Sequence, residues 1–253
     1  MARKGFLILQ LEESNRNSRP HNFPVAEKRG GCPRFGVGTW VLGLPSLLQE
    51  FSATCTPPRP SCSCNTSGNQ WICNTPIVMD VDGKGFELTS PENGVWFDLF
   101  ADGHIRKWSW TAADRNNGFL VLDRNNDGVI NNGTELFGSA TPQPATASPN
   151  GFLALAVYDK PENGGNDDGF IDEKDAIYSK LRVWIDASHD GISQPNELHS
   201  LSELGIRRID LQYQVKPRTD QYGNEFYLRS RVWDIQGQQG GRWAWDVFLK
   251  SQP

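Results

Sequence analysis

The chain has 253 residues, of which 37% are hydrophobic and 22% are charged, so it holds enough apolar sequence for one good core. Its low mean hydropathy excludes a protein with many membrane spans. The formal charge of -5 is unevenly spread, because residues 76–200 contain 20 acidic and 9 basic residues. This acidic middle disfavours nucleic acid and anionic membrane as partners, and it suits a hard cation that prefers oxygen ligands.

Residues 1–54 are predicted to be a disordered leader that ends in a signal-like segment. Basic residues precede an apolar run at 37–48, and small residues follow it. This order is typical of a secretory signal, although it begins late in the chain. An ordinary buried helix is the alternative, since Pro45 interrupts the run. The run is too short for a retained membrane span, so we expect a secreted or cell-surface protein with no span in its mature form.

All five cysteines lie in the first third of the chain. Four of them, Cys55, Cys62, Cys64 and Cys73, fall in a segment at 55–75 that has little apolar content for a core. In a secreted protein this spacing favours two disulfides. Free thiols are one alternative, and a zinc site of four thiolates is a weaker one because paired Cys-x-x-Cys motifs are missing.

From residue 76 onward, short apolar runs alternate with Asp-rich turns. Residues 76–253 are therefore predicted to form a calcium-binding α+β domain of short antiparallel strands and short helices. Residues 214–253 alternate apolar and polar side chains and contain Gly-rich turns, which predicts a C-terminal β meander.

Four Asp-rich turns approach the spacing of a calcium loop. The first of these four, "DLFADGHI", is the weakest candidate for a cation site. Asp98, Asp102 and Gly103 occupy the spacing of a calcium loop, but Phe100 stands at its third position. An ordinary turn is the favoured interpretation.

The second turn, "DRNNDGVINNGTE", offers oxygen ligands at alternate positions. Asp123, Asn125 and Asp127 take positions 1, 3 and 5 of an EF-hand-like loop, and a glycine at position 6 permits the sharp turn. Val129 would contribute its carbonyl. Glu135 stands one residue beyond the usual closing position, so this loop must widen to bind calcium.

The third candidate spans residues 159–175. Its predicted ligands are Asp159, Asn166, Asp168, Asp172 and Asp175. Counting back from the last of these places position 1 on Gly164, so Asp159 completes the set only if residues 160–164 loop out.

The fourth turn, "DASHDGISQPNE", has the full twelve-residue spacing of a calcium loop. Its predicted ligands are Asp186, Ser188, Asp190, the carbonyl of Ile192, Gln194 and Glu197. The preceding "KLRVWID" alternates like a strand, while Leu198, Leu201 and Leu204 afterwards share one helical face. The sequence thus predicts a strand–loop–helix site, which suits a static structural ion better than a sensor.

Two aromatic pairs suggest a competing function. The pairs Trp108-x-Trp110 and Trp243-x-Trp245 would each place two indoles on one face of a strand. Packing on the core is the favoured interpretation, and a carbohydrate-binding face is the alternative.

Three segments together resemble a known family. They are "PIVMDVDGKGFELTS", "GFLVLDRNNDGVINNGTELFG" and "LRVWIDASHDGISQPNELHSLSELGIRRIDLQY". Over residues 76–213 the chain resembles the calcium-dependent self-processing module of iron-regulated RTX proteins and related domains of secreted bacterial proteins. The resemblance implies calcium in the loops, with Glu135 at its unusual position as part of the family pattern. It also implies cleavage of an Asp-Pro bond at the start of the module, after which the freed aspartyl group is joined to a lysine.

This chain departs from that pattern at the reacting residue. Thr75 precedes Pro76, and the sequence contains no Asp-Pro pair. The cleavage needs a side-chain carboxylate that attacks its own carbonyl, which threonine lacks. We therefore expect no self-cleavage, and we predict a secreted module stabilised by Ca²⁺ with a structural or binding role toward an extracellular protein or glycan. A processing domain that has lost its scissile aspartate and a carbohydrate-binding module are the alternatives.

Overall fold

The computed structural model describes residues 62–64 and 71–252. The predicted leader at 1–54 and most of the cysteine-rich segment at 55–75 lie outside the described residues. Within that segment, strands β1 (Cys62–Cys64) and β2 (Trp71–Cys73) form an antiparallel pair. Cys73 is disulfide-bonded, and the connectivity of the four cysteines stays a prediction.

One large antiparallel sheet forms the body of the chain. The strands after β2 are β3 (Ile77–Asp80), β4 (Val95–Phe97), β5 (Arg106–Trp108), β6 (Asn117–Val121), β7 (Phe170–Ile171), β8 (Arg182–Trp184), β9 (Leu198–Ser200), β10 (Ile206–Asp210), β11 (Gln214–Thr219), β12 (Glu225–Asp234) and β13 (Trp243–Phe248). Nine of these form the sheet in the order β7-β10-β12-β13-β3-β6-β8-β9, with β11 on the side of β12, while β4 and β5 form a separate hairpin. The sheet curls into a half-barrel.

The prediction of an α+β fold is wrong, because the described chain is mostly β. Its α-helix α1 (Gly151–Ala156) has six residues. Short 3₁₀ turns lie at Pro91–Asn93, Val157–Asp159, Pro161–Asn163 and Pro195–Glu197. Periodicity alone cannot separate a buried helix from a central strand in short apolar runs. No helix within the described residues is long and apolar enough to cross a bilayer.

The helix expected after residue 197 does not form, and a short strand and a turn take its place. Leu198 lies opposite Trp184, so this segment begins with strand β9 paired to β8. Leu201 is buried in the turn that follows, which ends at Gly205 in the left-handed conformation. Three leucines at helical spacing cover only seven residues, which is too short for a helix to form without strong tertiary support. The candidate site at residues 186–197 therefore lies between two strands, β8 and β9, and not between a strand and a helix.

The central strands of the sheet, such as β3 and β6, are buried on both faces, and the two faces carry separate apolar clusters. Ile77 and Met79 on β3 pack into one cluster, and Val78 between them packs into the other. This follows from the two-residue period of a strand. Each fully buried aliphatic side chain contributes roughly 1.5–3 kcal/mol to folding.

The tryptophan pairs belong mainly to this core. Trp108, Trp110 and Trp245 are at most 5% exposed and lie in the second cluster. Trp243 is partly buried, with the Arg229 guanidinium 4.1 Å from the centre of its ring. The core interpretation of these pairs therefore holds, and neither pair offers two exposed indoles for stacking on a sugar.

Three strands lie in the C-terminal residues 214–253. Strands β11, β12 and β13 are antiparallel neighbours joined by turns. They are also part of the main sheet, because Trp245 on β13 lies opposite Val78 on β3. The C-terminal strands therefore contribute side chains to the same core as β3.

Candidate metal centres

The Asp-rich turns share one local construction, which is clearest at residues 186–197. The carboxylate of Asp186 accepts backbone N–H groups from Asp190 at 3.2 Å and from Gly191 at 2.9 Å. Gly191 has φ of 75°, which the turn requires and which favours glycine. The sequence therefore folds this turn around the side chain at its first position.

The predicted ligand side chains of this loop converge. Ser188 Oγ lies 3.3 Å from Asp186 Oδ1 and 3.3 Å from Gln194 Oε1. Gln194 Nε2 donates to Asp190 Oδ2 at 2.9 Å. Glu197 is 3% exposed and its Oε1 accepts the Ser188 N–H at 2.8 Å. Side-chain contacts thus connect Asp186, Ser188, Gln194 and Asp190 in series. Glu197 is attached to the same loop through a backbone N–H.

Residues 123–135 repeat the construction. The Asp123 carboxylate accepts the N–H groups of Asp127 at 3.2 Å and Gly128 at 2.8 Å. Asn125 Nδ2 donates to Asp127 Oδ2 at 2.9 Å. Glu135 is 3% exposed. The extra residue ahead of this glutamate is accommodated, since its carboxylate still folds back over the loop.

A ligand candidate missed by the sequence prediction lies in this loop. The side-chain amide of Asn131 has one atom 3.1 Å from Asp127 Oδ2 and 3.2 Å from Glu135 Oε2. With nitrogen at that place the amide donates to both carboxylates. With oxygen there, the amide would be a further oxygen donor beside them. Asn131 is the ninth residue of the loop, the same place as Gln194 in residues 186–197. Numbering both loops from their first aspartate would have identified Asn131 as the counterpart of Gln194.

The seventh residues of the two loops also match. The Val129 N–H donates to Asp127 Oδ1 at 2.9 Å, and the Ile192 N–H donates to Asp190 Oδ1 at 2.8 Å. Both apolar side chains are exposed, at 37% and 59%. Each residue can therefore offer only its backbone carbonyl to the loop, which is the role predicted for it.

These two loops carry uncompensated charge. Each holds three carboxylates, and none of the six forms an ion pair with a lysine or arginine among the described residues. Burial raises the pKa of Asp186, the N–H groups of Gly191 and Asp190 oppose this rise, and repulsion from Glu197 adds to it. A cation at the centre would relieve this repulsion.

In residues 159–175 the carboxylate at position 1 again accepts N–H groups of the turn, because residues 160–164 loop out between that aspartate and the rest of the site. The Asp159 carboxylate accepts the N–H groups of Asp168 at 3.1 Å and Gly169 at 3.0 Å. The inserted residues 160–164 form a 3₁₀ turn that ends in the left-handed Gly164. Asp159 therefore stands at position 1 despite the break in spacing.

The closing side of this third loop is acidic and buried. The Asp175 carboxylate is 2% exposed, and its Oδ1 has no hydrogen-bond partner. Its Oδ2 accepts the Asp172 N–H at 2.8 Å. Burial raises the pKa of Asp175, that hydrogen bond opposes the rise, and repulsion from Asp159 and Asp172 adds to it. Asn166 completes the predicted set by donating from Nδ2 to Asp168 Oδ2 at 2.8 Å.

A lysine neutralises part of this loop. Lys174 Nζ lies 3.0 Å from Asp168 Oδ2 and 3.6 Å from Asp172 Oδ2. The loop thus differs from the other two because it already holds a positive charge.

The turn at residues 98–103 shows the same backbone with an arginine in place of a cation site. Asp98 accepts the N–H groups of Asp102 and Gly103. Arg106 donates to both carboxylate oxygens of Asp102, at 3.0 and 2.8 Å. Its hydrogen bond, opposed by burial, lowers the pKa of Asp102 to about 2. The ordinary-turn interpretation is supported here.

The donor sets in these loops are mixed in kind. Among the described residues, no three His, Cys, Asp or Glu side chains are grouped so that they alone could hold a metal ion. Each loop adds amide, hydroxyl or backbone oxygen to its carboxylates. Calcium takes six to eight such oxygen ligands, whereas zinc prefers nitrogen and sulfur.

The segment before β3 lies next to the second turn. Thr75 is 2% exposed, and its hydroxyl has no hydrogen-bond partner. The Ile77 N–H donates to the carbonyl of Phe137 at 2.7 Å, and Ser139 Oγ donates to the carbonyl of Cys73. The peptide bond between Thr75 and Pro76 is thus held against the residues that follow Glu135.

A protein-family model matches most of the chain. Residues 77–250 match the SPM domain, a self-processing module. The chain belongs to the SPM domain family. The match includes the C-terminal strands β10 to β13, as expected from their place in the main sheet.

A relative supports the same assignment. The chain is 41% identical over 141 residues to the iron-regulated protein FrpA of Neisseria meningitidis serogroup C. The aligned region covers 54% of this chain and 12% of that relative. The SPM domain here therefore corresponds to a small part of a much longer protein.

Proposed function

We propose that this SPM domain is a calcium-stabilised structural or binding module that acts outside the cell. The observation that carries the proposal is the pair of loops at residues 123–135 and 186–197, each with three carboxylates and, within the described part of the chain, no lysine or arginine paired to them. The ligands proposed for Ca²⁺ are those predicted from the sequence, with Asn131 added. Residues 159–175 form a weaker third site, because Lys174 competes for its carboxylates.

The bound ions would add a large part of the stability of the domain. A site with a Kd near 10 μM, in a medium with about 1 mM calcium, contributes roughly 2.7 kcal/mol to the free energy of unfolding. Two such sites compare with a typical total of about 5–15 kcal/mol. The partner of the module, an extracellular protein or a glycan, is part of the proposal.

The substitution of Glu197 by glutamine tests the site. E197Q keeps the shape of the side chain but removes the charge that closes the loop. Calorimetric calcium titration of the whole chain should show one strong site lost. E203Q is the matched control, because Glu203 accepts the Ser200 N–H at 2.7 Å on the surface and belongs to no loop. Equal titrations of E197Q and the unmodified chain would contradict the proposal.

We propose further that the module does not cleave itself before Pro76. Thr75 supplies no carboxylate to attack the peptide carbonyl, and its side chain is enclosed by packed chain. Denaturing gels of the purified chain after calcium addition should show one undivided band. A fragment beginning at Pro76 would show that the module is a self-processing enzyme instead.

A further inference from the structure

The two closed loops touch each other through one buried hydrogen bond. The backbone N–H of Ile130 donates to Ser193 Oγ at 2.7 Å. Ile130 is 3% exposed and Ser193 is 2% exposed. Each is the eighth residue of its loop, counted from Asp123 and from Asp186. The contact therefore joins the same point of two similar structures.

Each end of this bond is covalently next to a candidate ligand. Asn131 follows Ile130, and its N–H donates to Glu135 Oε2 at 2.7 Å. Gln194 follows Ser193, and its N–H lies 3.4 Å from Glu197 Oε2. A shift at either eighth residue therefore moves the ninth residue and the closing glutamate of that loop together.

The surrounding core leaves little room for one loop to move alone. The side chain of Ile130 packs in the same cluster as Trp184. The indole nitrogen of Trp184 lies 3.4 Å from Glu197 Oε2. Close-packed interiors transmit displacement instead of absorbing it. Glu197 thus lies next to Gln194, which follows Ser193, and next to Trp184, which shares an apolar cluster with Ile130 of the other loop.

We propose that Ser193 is a positioning residue that couples the two loops, so that calcium bound in either loop raises the affinity of the other. The proposal rests on the proposed function, since it requires that both loops bind calcium. Coupling of this kind is reciprocal, because the same free energy links the two binding events in both directions. Without the hydroxyl of Ser193, each loop would be ordered separately.

The test uses calorimetric calcium titrations of the whole chain. With coupling intact, E197Q should weaken binding at residues 123–135 at least about five-fold, although Glu197 contributes no ligand there. E135Q should weaken binding at residues 186–197 by the same factor. S193A should remove this mutual effect while both loops still bind, and S193T, which keeps a hydroxyl, should restore it.

A matched control separates coupling from loss of a buried hydroxyl. Ser230 is also 2% exposed and donates to the carbonyl of Asp210 at 2.7 Å, away from both loops. S230A should lower the midpoint of thermal unfolding but leave the mutual effect of E135Q and E197Q unchanged. If S193A fails to fold, the comparison of E135Q with E197Q still measures coupling in chains that contain Ser193.

Three results would overturn the inference. In the first, E197Q leaves the affinity at residues 123–135 unchanged, which means that the loops bind independently while the proposed function stands. In the second, S193A keeps the full mutual effect. In the third, the unmodified chain binds no calcium, which removes the proposed function as well.

Discussion

Arg106 and Glu197 show how a single residue changes the charge balance of an Asp-rich turn. The guanidinium of Arg106 closes the turn at residues 98–103 with its own positive charge. Glu197 instead adds a negative charge to a turn that already contains Asp186 and Asp190. Arg106 thus pairs with one of the two carboxylates of the first turn, whereas the three carboxylates of the second have no basic partner among the described residues and repel one another.

The arginine turn predicts a pH effect that is independent of calcium. The folded-state pKa of Asp102 is lowered to about 2 from 3.8 by the Arg106 hydrogen bond, against burial. The stabilisation is therefore fully present above pH 4 and is lost as the pH falls through about 2. The pair is partly exposed, so R106Q should cost at most about 1 kcal/mol.

Urea unfolding of R106Q and the unmodified chain, in excess calcium, checks this effect. The difference in unfolding free energy should be constant from pH 7 to pH 5 and should shrink toward pH 2. The control compares D102N with D102N/R106Q, because position 102 then has no carboxylate to titrate and the difference should not vary with pH. A difference that grows on acidification would contradict the assignment.

At the scale of elements, the third loop shows that a broken spacing can still give the same construction. Asp159 reaches position 1 because residues 160–164 fold into a separate 3₁₀ turn. Lys174 then lies against the carboxylates of Asp168 and Asp172. This lysine distinguishes the third loop from the two loops whose carboxylates have no basic partner in residues 62–64 and 71–252.

Removal of that lysine should strengthen calcium binding in the third loop. K174Q removes a competing positive charge from Asp168 and Asp172, so the calcium affinity at residues 159–175 should rise several-fold. Lys160 pairs with Asp167, which is not among the candidate ligands, and K160Q is therefore the matched control. Calcium titration would contradict this view if both variants bound calcium like the unmodified chain.

The loops were predictable from the sequence because their construction is local. A carboxylate at position 1 and a glycine at position 6 fix the turn through neighbouring N–H groups, so the spacing alone located residues 123–135 and 186–197. The helix after Glu197 was not predictable, since Leu198 becomes a strand by pairing with Trp184. The contact between Ile130 and Ser193 spans 63 residues and carries no sequence signal.

At the scale of the whole molecule, the sheet and the loops have different sources of stability. The central strands of the sheet are buried on both faces, and the sheet is stabilised by apolar packing in its two clusters. The loops hold buried carboxylates such as Asp186, Glu135 and Glu197, and burial of a charge is unfavourable unless it is paired. Bound calcium would pair with these carboxylates, so that the free-energy cost of burying them is replaced by a net stabilisation of the folded chain.

The most direct test of this account is the midpoint of thermal unfolding of the whole chain in 1 mM calcium and in excess EGTA. Two sites of the proposed strength should separate the two midpoints by more than about 10 °C, because each kilocalorie per mole shifts the midpoint of a domain of this size by about 2–4 °C. Magnesium at the same concentration should replace little of the effect, since it favours rigid octahedral sites. Equal midpoints with and without calcium would contradict the central claim.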